Sequence, residues 1–459
     1  MKYFILFLSI FSLMAHAKEQ PNIIIIYADD LGYDSVSLYN PKIGNFSTPA
    51  MDQLALTGMR FTDMHSSCSV CSPSRYSLLT GQYSWRTSKK AKIVGQVEKS
   101  WIAPDRVTIA EMLKSKGYDT CMIGKWHLGW NWPTTDGGKP QQWKNVDFTK
   151  ELPGGPIDHG FDYYFGDDVP NWPPFTWIEN NKVLIPPTET MPKKTFAGVS
   201  TGPAAPNWEF EAVLPEYVKR VNAYFQSRKG NDKPFFLYYP LPSPHTPIAP
   251  HKDFLGKSGI NTYVDFLMET DWAVGELVKD LKENGLYENT VIIFLSDNGT
   301  DVPKTNMGAI IEKGVYLQIS LKGSKTTLWE GGHRSPAFIS WPGHIKEGSV
   351  SDKLVVQTDI YATLAELVDY QILENNAEDS ISLLPLLRGK EINEPIHDIV
   401  VHQDTLGAFA VRMGDWKLNL KSKGLYNLKN DLKETSNLAA QYPEKVAEIS
   451  SYFETFKNK

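Results

Sequence analysis

Cysteine is scarce in this chain of 459 residues, which contains only three. Small exported folds that depend on disulfides are much richer in cysteine, so a disulfide framework is excluded and the fold must rest on its hydrophobic core. An excess of positive charge is also missing, because the formal net charge is -6. Since proteins that bind nucleic acid generally carry a basic surface, this charge argues against nucleic acid as a partner.

Long apolar runs are missing after the first residues, which read MKYFILFLSIFSLMAHAKEQ. A Lys near the start, a short apolar run and the small-x-small sequence that ends at Ala17 are typical of a signal peptide. We therefore predict a signal peptide over residues 1 to 17, cleaved after Ala17, and an exported protein that is periplasmic or secreted. The apolar run is short for a bilayer, and no later segment is long enough, so we expect no membrane span.

Short apolar runs alternate with helical patterns along most of the chain. The runs cover residues 22 to 30, 118 to 127, 233 to 240, 289 to 299 and 335 to 343. Runs this apolar are typical of strands that are buried on both faces. Between them, Thr108 and Glu111 form the sequence of a capping box, and residues 263 to 285 have apolar side chains at helical spacing. The alternation predicts an α/β fold, with a large mixed, mostly parallel sheet sandwiched by helices.

The pattern changes at about residue 390. Residues 409 to 420 contain a Gly-Asp turn between two strand-like runs, residues 425 to 428 form another short run, and a helical pattern begins near Pro443. This indicates a smaller C-terminal antiparallel α+β subdomain. The predicted organisation is a signal peptide (1–17), a catalytic domain (18–389) and a C-terminal subdomain of antiparallel sheet and helix (390–459).

Polar side chains follow four of the apolar runs, where a doubly wound sheet places its ligand sites. They are Asp29 and Asp30, Lys125 and His127, His245, and Asp297 with Asn298. The four Asp and Asn side chains offer only oxygen, which suits calcium or magnesium, whereas zinc favours His or Cys. A hydrogen-bonded acidic cluster is the alternative, but three close carboxylates repel one another unless a cation holds them. We therefore expect one Ca²⁺, with Mg²⁺ less favoured, bound by Asp29, Asp30, Asp297 and Asn298.

The stretch CSVCSPSRYSLLTG, residues 68 to 81, contains two of the three cysteines. Cys68 and Cys71 could form a redox pair. Pro73, however, suits the first turn of a helix, with Ser72 as its cap and Gly81 as its stop. This arrangement places Cys71 at the positive N-terminal end of a short helix, which favours an anion.

The run Cys-x-Pro-Ser-Arg-x-x-x-x-Thr-Gly resembles the signature of the formylglycine-dependent sulfatases, the arylsulfatase-like branch of the alkaline phosphatase superfamily. The matching residues are Cys71, Pro73, Ser74, Arg75, Thr80 and Gly81. The resemblance covers nearly the whole mature chain and includes GKWHLG (124 to 129), PSPHTP (242 to 247), SDNG (296 to 299) and GSKTTLWEGGHRSP (323 to 336). His333 stands where this last loop commonly has an apolar residue.

The resemblance implies that a formylglycine-generating maturation enzyme oxidises Cys71 to formylglycine (3-oxoalanine) before export. One hydroxyl of the aldehyde hydrate then attacks sulfur, and the other loses a proton so that the carbonyl re-forms and sulfate leaves. Residue 71 also completes the calcium shell. The implied catalytic residues are Arg75 and Lys125, which hold the hydrate and the growing anion, Lys325 on the sulfate, His127 as the base that collapses the sulfated hemiacetal, and His245 as the acid for the leaving alcohol.

Tryptophan is concentrated near the proposed site, because six of the thirteen lie between Trp126 and Trp177. Aromatic rings stack on the apolar faces of sugars, although packing under a Pro-rich loop explains such a cluster equally well for any single Trp. We predict a sulfated carbohydrate substrate, a polysaccharide or its oligosaccharides. The expected sugar contacts are Asp168, Asn171, Trp172 and His402.

Other functions remain open at this point. A formylglycine-dependent phosphate or phosphonate monoester hydrolase would use the same residues. A zinc phosphatase is expected to have several His ligands, and none accompanies Asp297 and Asn298. A thiol oxidoreductase needs both Cys68 and Cys71 as thiols, and a non-catalytic glycan-binding relative would not need every catalytic position to be filled.

Overall fold

A computed structural model describes residues 20–192 and 196–458 of the chain. The predicted signal peptide lies outside the described residues. The strands are β1 (Asn22–Ala28), β2 (Gly58–Phe61), β3 (Met64–His65), β4 (Asp119–Ile123), β5 (Tyr163–Gly166), β6 (Ile178–Glu179), β7 (Lys182–Val183), β8 (Glu189–Met191), β9 (Gly202–Ala204), β10 (Phe235–Pro240), β11 (Thr290–Ser296), β12 (Ala337–Ser340), β13 (Ser349–Ser351), β14 (Val355–Val356), β15 (Val400–Gln403), β16 (Phe409–Met413), β17 (Trp416–Asn419) and β18 (Gly424–Asn427). The helices are α1 (Pro49–Leu56), α2 (Cys71–Thr80), α3 (Ile109–Ser115), α4 (Val213–Ser227), α5 (Thr262–Glu283), α6 (Val302–Thr305), α7 (Met307–Glu312), α8 (Glu330–His333), α9 (Asp359–Leu367), α10 (Leu384–Leu387) and α11 (Pro443–Lys457).

The main sheet has ten strands in the order β13-β2-β12-β11-β1-β10-β4-β5-β6-β7. Its centre is parallel, because β1 pairs with β10 and β11, and β4 pairs with β10 and β5. On one side β12 pairs antiparallel with β11 and β2, and β13 adds a parallel edge strand; on the other side β6 pairs antiparallel with β5 and β7. The prediction of a mixed, mostly parallel sheet is confirmed.

Strand β1 explains why the sheet is buried on both faces. Ile23, Ile25 and Tyr27 belong to one hydrophobic core, which also contains residues of α2, α3 and α9. The alternate residues Ile24 and Ile26 belong to a second core, together with residues of α1, α4 and α5. Since successive side chains of a strand point to opposite faces, the continuous apolar run packs against a layer of helices on each side of the sheet.

Helix α2 carries Cys71 at its first position, and its start differs from the prediction. Val70 is the N-cap residue, so Ser72 lies inside the helix, where its Oγ accepts a hydrogen bond from the Val94 N–H at 3.1 Å. Ser72 is therefore not the cap. The predicted stop at Gly81 is confirmed, because this residue has φ of 67°, a left-handed conformation that glycine adopts without strain.

The C-terminal part forms a separate antiparallel sheet in the order β15-β16-β17-β18. Helix α11 covers it through Ile449 and Phe453, which share a core with strand residues such as Val411. Tyr83 and Trp85, just after α2, belong to the same small core. Among the described residues, no helix has the length and apolarity needed to cross a bilayer.

Candidate active site at the carboxyl edge of the sheet

Two adjacent parallel strands bring the predicted metal ligands together. Ala28 pairs with Ser296, so Asp29 and Asp30 leave β1 at the level where Asp297 leaves β11. Asp30 has φ of 62°, and its N–H donates to Asp297 Oδ1 at 3.1 Å. Asn298 Nδ2 donates to Asp30 Oδ1 at 2.7 Å. The four oxygen-bearing side chains therefore form one cluster.

Each carboxylate of this cluster is paired with a cation, and two of the three cations are fully buried. Lys125 Nζ lies 2.5 Å from Asp29 Oδ2, and Lys325 Nζ lies 2.6 Å from Asp30 Oδ1. Arg75 Nη2 lies 2.7 Å from Asp297 Oδ2 and 3.5 Å from Asp29 Oδ1. Gly124 turns the chain from β4 toward Lys125 with φ of 134°, and a Cβ atom there would meet the Pro240 carbonyl oxygen at 2.1 Å. Glycine is thus needed for the turn that delivers Lys125.

The environment shifts the pKa values of these carboxyl groups in opposite directions. Burial opposes ionisation of Asp29, but Lys125, His245 and Arg75 together hold its pKa well below the usual range. Burial, and next the charge of Asp29, raise the pKa of Asp297 to about 7. Of Asp29 and Asp297, Asp29 is therefore the more strongly ionised.

Cys71 lies against this cluster with only 2% of its surface exposed. Ligand atoms of Asp29, Asp30, Cys71 and His245 all lie within 4.8 Å of one another. Burial raises the pKa of the Cys71 thiol, despite Lys125 and Lys325 nearby, and it raises the pKa of Cys68 to about 12. Both cysteines are free and buried, so neither is a ready thiolate for redox exchange.

The donor set fits a hard divalent cation. Within the described residues, the buried atoms Asp29 Oδ1 and Asn298 Oδ1 have no hydrogen-bond partner. Arg75 lies 3.5 Å from Asp29 Oδ1, which is too long for a good hydrogen bond, so both oxygens remain available to a metal ion. Carboxylate and amide oxygens are ligands that Ca²⁺ and Mg²⁺ prefer.

Two histidines flank the cluster. His127 has φ of 56°, and neither ring nitrogen has a hydrogen-bond partner in the part of the chain that the structure describes. Burial, and then the charges of Lys125 and Arg75, hold its pKa well below the ordinary value. His245 Nε2 lies 3.8 Å from Asp30 Oδ2, and burial lowers the pKa of His245 to about 4. Both rings are neutral in this arrangement.

Two of the four predicted sugar contacts, Trp172 and Asp168, lie beside His127. Trp172 packs edge-on against the His127 ring with ring centres 5.4 Å apart, and Asp168 Oδ1 accepts a hydrogen bond from the backbone N–H of His127 at 3.2 Å. Burial raises the pKa of Asp168 to about 7. Asn171 Nδ2 donates to the Gly198 carbonyl oxygen at 3.0 Å.

The fourth predicted contact, His402, lies in a different cluster. Its side chain is fully buried and stacks on His333 with ring centres 3.7 Å apart. Trp126, Trp130 and Trp132, earlier in the tryptophan-rich stretch, belong to the main hydrophobic core. The site thus brings Trp172 to His127, while several neighbouring tryptophans serve packing.

Some supporting residues of the site carry no sequence signal that predicts them. Tyr27 OH donates to Gln357 Oε1 at 2.6 Å, and Gln357 Nε2 donates to the Ser296 carbonyl oxygen at 2.6 Å. Arg75 lies over the Tyr27 ring at 5.3 Å. Ser296 is part of the SDNG motif, but nothing in the sequence links Gln357 to the other residues.

Comparisons with known proteins agree with this geometry. A family model described as Sulfatase matches residues 21–370. The chain is 30% identical over 505 residues to N-acetylgalactosamine-6-O-sulfatase of Bacteroides thetaiotaomicron, with 96% of this chain and 94% of that protein covered. It is 34% identical over 414 residues to human Arylsulfatase A, with 88% and 75% covered. A solved structure of a Bacteroides thetaiotaomicron protein, described under metabolism of multiple glycosaminoglycans, has a TM-score of 0.84 at 29% identity and covers 96% of this chain and 100% of that one.

Proposed function

The chain belongs to the sulfatase family and hydrolyses sulfate esters, and we propose that it is an exported enzyme that desulfates carbohydrates with a formylglycine made from Cys71 and one bound calcium ion. The observation that carries this proposal is the set of three cations around Cys71, namely the buried Arg75 and Lys125 and the partly exposed Lys325. They balance the three carboxylates of the site. A divalent ion on those carboxylates would leave the site electropositive, as an anionic sulfate ester requires.

Asp29, Asp30, Asp297 and Asn298 would hold the calcium ion, with residue 71 completing the shell. When bound, the ion lowers the pKa of a hydroxyl at residue 71 and neutralises sulfate oxygens. The formylglycine hydrate supplies one hydroxyl as nucleophile and a second whose deprotonation releases sulfate. The burial of Cys71 supports oxidation by a maturation enzyme before the chain folds, because a folded chain offers that enzyme almost none of this side chain.

The protein side chains position charge and move protons. Arg75 and Lys125 are fully buried, and they stabilise negative charge that develops at residue 71 and on the sulfate. Lys325 has a side chain that is 10% exposed, which suits contact with the bound sulfate group. Preorganised buried cations of this kind lower the barrier because they need no reorientation during the reaction.

The two neutral histidines divide the proton transfers. His127 takes the proton from the hydroxyl at residue 71, because its low pKa leaves the ring unprotonated. His245 donates a proton to the leaving alcohol. The negative charge of a bound sulfate ester raises the pKa of His245 above its value of about 4, so the ring acquires its proton together with the substrate.

The first experiment tests the nucleophile. A tryptic peptide covering residues 61 to 75 contains both Cys68 and Cys71, so Cys68 serves as an internal control. Mass spectrometry of active protein should show loss of sulfur and gain of oxygen at residue 71 alone, and a hydrazine should trap the aldehyde. Full activity in protein whose Cys71 is an unmodified thiol would refute the mechanism. Sulfate and phosphate esters of one chromophore then separate this proposal from a phosphate or phosphonate monoester hydrolase.

The second experiment tests the carbohydrate substrate. A panel of sulfated mono- and oligosaccharides is compared with an aryl sulfate and a steroid sulfate. Trp172→Ala should lower kcat/KM for the preferred sugar about fivefold, since one aromatic contact contributes about 1 kcal/mol, and Asn171→Ala should lower it by a similar factor, since one hydrogen bond contributes about 1 kcal/mol net. Trp143→Ala is the matched control, because this half-buried Trp packs on Trp132 at 5.1 Å rather than on a catalytic residue. Higher specificity for the steroid ester than for every sugar contradicts the proposal.

The sugar subsite in this proposal is formed by Asp168, Asn171 and Trp172. His402 was expected to contribute, but a sugar contact there would need its fully buried ring to become accessible. Applying the same substrate panel to His402→Ala tests whether His402 contributes to sugar binding.

A further inference from the structure

A second buried cluster of ionisable side chains lies where the C-terminal sheet meets the main domain. We call it the interface cluster. Its members are Asp63, His65, Glu330, His333, Arg334, His402, Arg412, Lys417 and Glu434, all at most 9% exposed. The proposed catalytic mechanism uses none of them.

The interface cluster touches two of the segments that carry catalytic residues, those of Cys71 and Lys325. His65 ends β3, and the chain then runs through residues 66 to 70 to Cys71. Helix α8 begins at Glu330 and ends at His333. It directly follows residues 322 to 329, which we call the Lys325 loop. The two segments are joined, because Thr326 N–H donates to the Ser69 carbonyl oxygen at 2.8 Å.

Four members form a continuous hydrogen-bond chain. Lys417 Nζ lies 3.1 Å from His333 Nε2, His333 Nδ1 lies 3.0 Å from His65 Nδ1, and His65 Nε2 lies 2.7 Å from Asp63 Oδ1. An ammonium group only donates and a carboxylate only accepts, so the two ends fix the direction of the chain. With both imidazoles neutral, Lys417 donates to His333, His333 donates to His65, and His65 donates to Asp63.

His333 Nε2 also has a second possible partner, the Leu328 carbonyl oxygen at 3.2 Å. A carbonyl oxygen only accepts, so this bond needs a proton on Nε2, and Nε2 then no longer accepts from Lys417. Adding one proton to the pair of imidazoles produces this second arrangement. His65 then carries two protons and donates to both Asp63 and His333 Nδ1, while His333 Nε2 donates to Leu328. The chain thus has two hydrogen-bonded states that differ by one proton.

We propose that the Lys417–His333–His65–Asp63 chain is a one-proton switch. It exchanges the hydrogen-bond partner of His333 Nε2 from Lys417 of the C-terminal sheet to the Leu328 carbonyl oxygen of the Lys325 loop. Lys417 is then a positioning residue for that loop, acting through His333. The effect on turnover rests on the proposed function, because Lys325 binds the sulfate group there. The hydrogen-bond switch itself does not depend on that function.

The charges of the interface cluster favour the neutral state. Lys417 pairs with Glu330 at 2.9 Å and Glu434 at 3.0 Å, and Arg334 and Arg412 pair with Asp63 at 3.2 and 3.1 Å. Three cations thus face three carboxylates, and a proton on any imidazole adds an unbalanced charge. Burial accordingly lowers the pKa of His65, His333 and His402.

His65 is the imidazole that accepts the added proton most readily. Glu330 Oε2, at 4.0 Å, and Asp63 favour its protonation, and Arg412 opposes it. His333 faces Lys417, His402 and His65, which oppose protonation, and only Glu330 favours it. The pKa of His333 is therefore held well below the ordinary value, whereas that of His65 is lowered less.

His402 completes the cluster as a neutral ring. Its Nδ1 lies 3.3 Å from the Ser66 carbonyl oxygen and donates to it. A metal ion bound by His65, His333 and His402 is disfavoured, although their nitrogens lie within 4.8 Å of one another. The His333 and His402 rings stack within 10° of parallel, so their in-plane lone pairs cannot converge on one ion.

The direction of the pH effect follows from the lowered pKa values. A free imidazole has a pKa of about 6.5, so the unfolded chain takes up protons before the folded one does. In the folded protein the neutral chain therefore persists below pH 6.5, and it is lost only as the pH falls through the lowered pKa of His65. Below this lowered pKa we expect KM for a sulfate ester to rise as the Lys325 loop exchanges its partner.

The decisive measurement uses the unmodified full chain. Two-bond proton–nitrogen correlation spectra of protein with ¹⁵N-labelled histidine, recorded from about pH 8 down to the lowest pH at which the chain stays folded, report which ring nitrogens carry protons. His333 Nε2 should be unprotonated at the upper end and become protonated with the same midpoint at which His65 gains its second proton. Protonation of His333 Nε2 at every pH, or separate midpoints for the two rings, would overturn the proposal whether or not the enzyme is a sulfatase.

A variant then links the switch to turnover. His333→Leu introduces an apolar residue, the kind that sulfatases commonly have at this position. Lys417 keeps Glu330 and Glu434 as partners in this variant. The rise of KM on the acid side should disappear in this variant. His344→Gln is the control, since His344 stacks on Trp341 outside the interface cluster, and it should keep the acid-side rise. An unchanged acid-side rise of KM in His333→Leu would show that the chain does not control the loop.

Discussion

Replacing Arg75 by methionine should abolish most turnover at a moderate cost in stability. The guanidinium is fully buried, pairs with Asp297 at 2.7 Å and Asp29 at 3.5 Å, and lies over the Tyr27 ring. Breaking a buried ion pair by removing one partner costs about 3 to 5 kcal/mol. With an unfolding entropy of about 2.1 cal/mol/K for each of the 459 residues, this corresponds to a fall in Tm of about 3 to 5 °C.

The loss of activity should be larger than the loss of stability explains. Removing one group that stabilises transition-state charge lowers kcat by about 100- to 1000-fold. Calorimetry and steady-state kinetics on the same preparation measure both effects. Arg86→Met is the matched control, because Arg86 forms an ion pair with buried Asp379 at 2.8 Å away from the carboxylate cluster. It should lower Tm and leave kcat/KM nearly unchanged. Equal kcat/KM values for the two variants would refute a catalytic role for Arg75.

Three further predictions concern the nucleophile, the metal and the fold. Cys71→Ala should lose turnover in an aryl sulfate assay while Tm changes by less than about 2 °C, since only a small side chain is truncated; retained turnover contradicts the nucleophile assignment. Dialysis against a chelator should lower both Tm and activity, with recovery on adding Ca²⁺, because a ligand bound only by the folded state stabilises it by about 2.7 kcal/mol at 100 times its Kd; recovery with Zn²⁺ alone contradicts the predicted ion. Thr108→Ala should lower the free energy of unfolding by about 1 kcal/mol through loss of the capping box and leave kcat/KM unchanged, as checked by denaturant titration and kinetics.

Local signals predicted the parts of the fold that depend on neighbouring residues. The Thr108 and Glu111 capping box forms as predicted, with both reciprocal hydrogen bonds. The Gly-Asp turn at residue 414 joins β16 and β17 as an antiparallel pair. Each of these features is decided within a few residues, so the sequence alone contains the required information.

Features that depend on distant partners were not predictable in the same way. Ser72 was expected to cap α2, but its hydroxyl accepts from Val94, which comes from another segment. The stacking of the His402 ring on His333 is a contact between the C-terminal sheet and the main domain, and the sequence around His402 contains no signal for it. His65 and His333 are 268 residues apart, and no local pattern announces their contact. Such contacts are set by the tertiary fold, and the residues around each partner contain no information about them.

The small hydrophobic core of the C-terminal sheet has a consequence for protein engineering. Tyr83 and Trp85 belong to this core, although they follow the helix that begins at Cys71. A chimera that joins the sheet of one relative to the main domain of another therefore replaces only part of a packed unit. The aromatic residues of one relative would then pack against the strands of another, and the side-chain volumes in this core would not match. Productive recombination needs a donor fragment in two pieces, one containing residues 83 to 86 and the other the sheet with its helix.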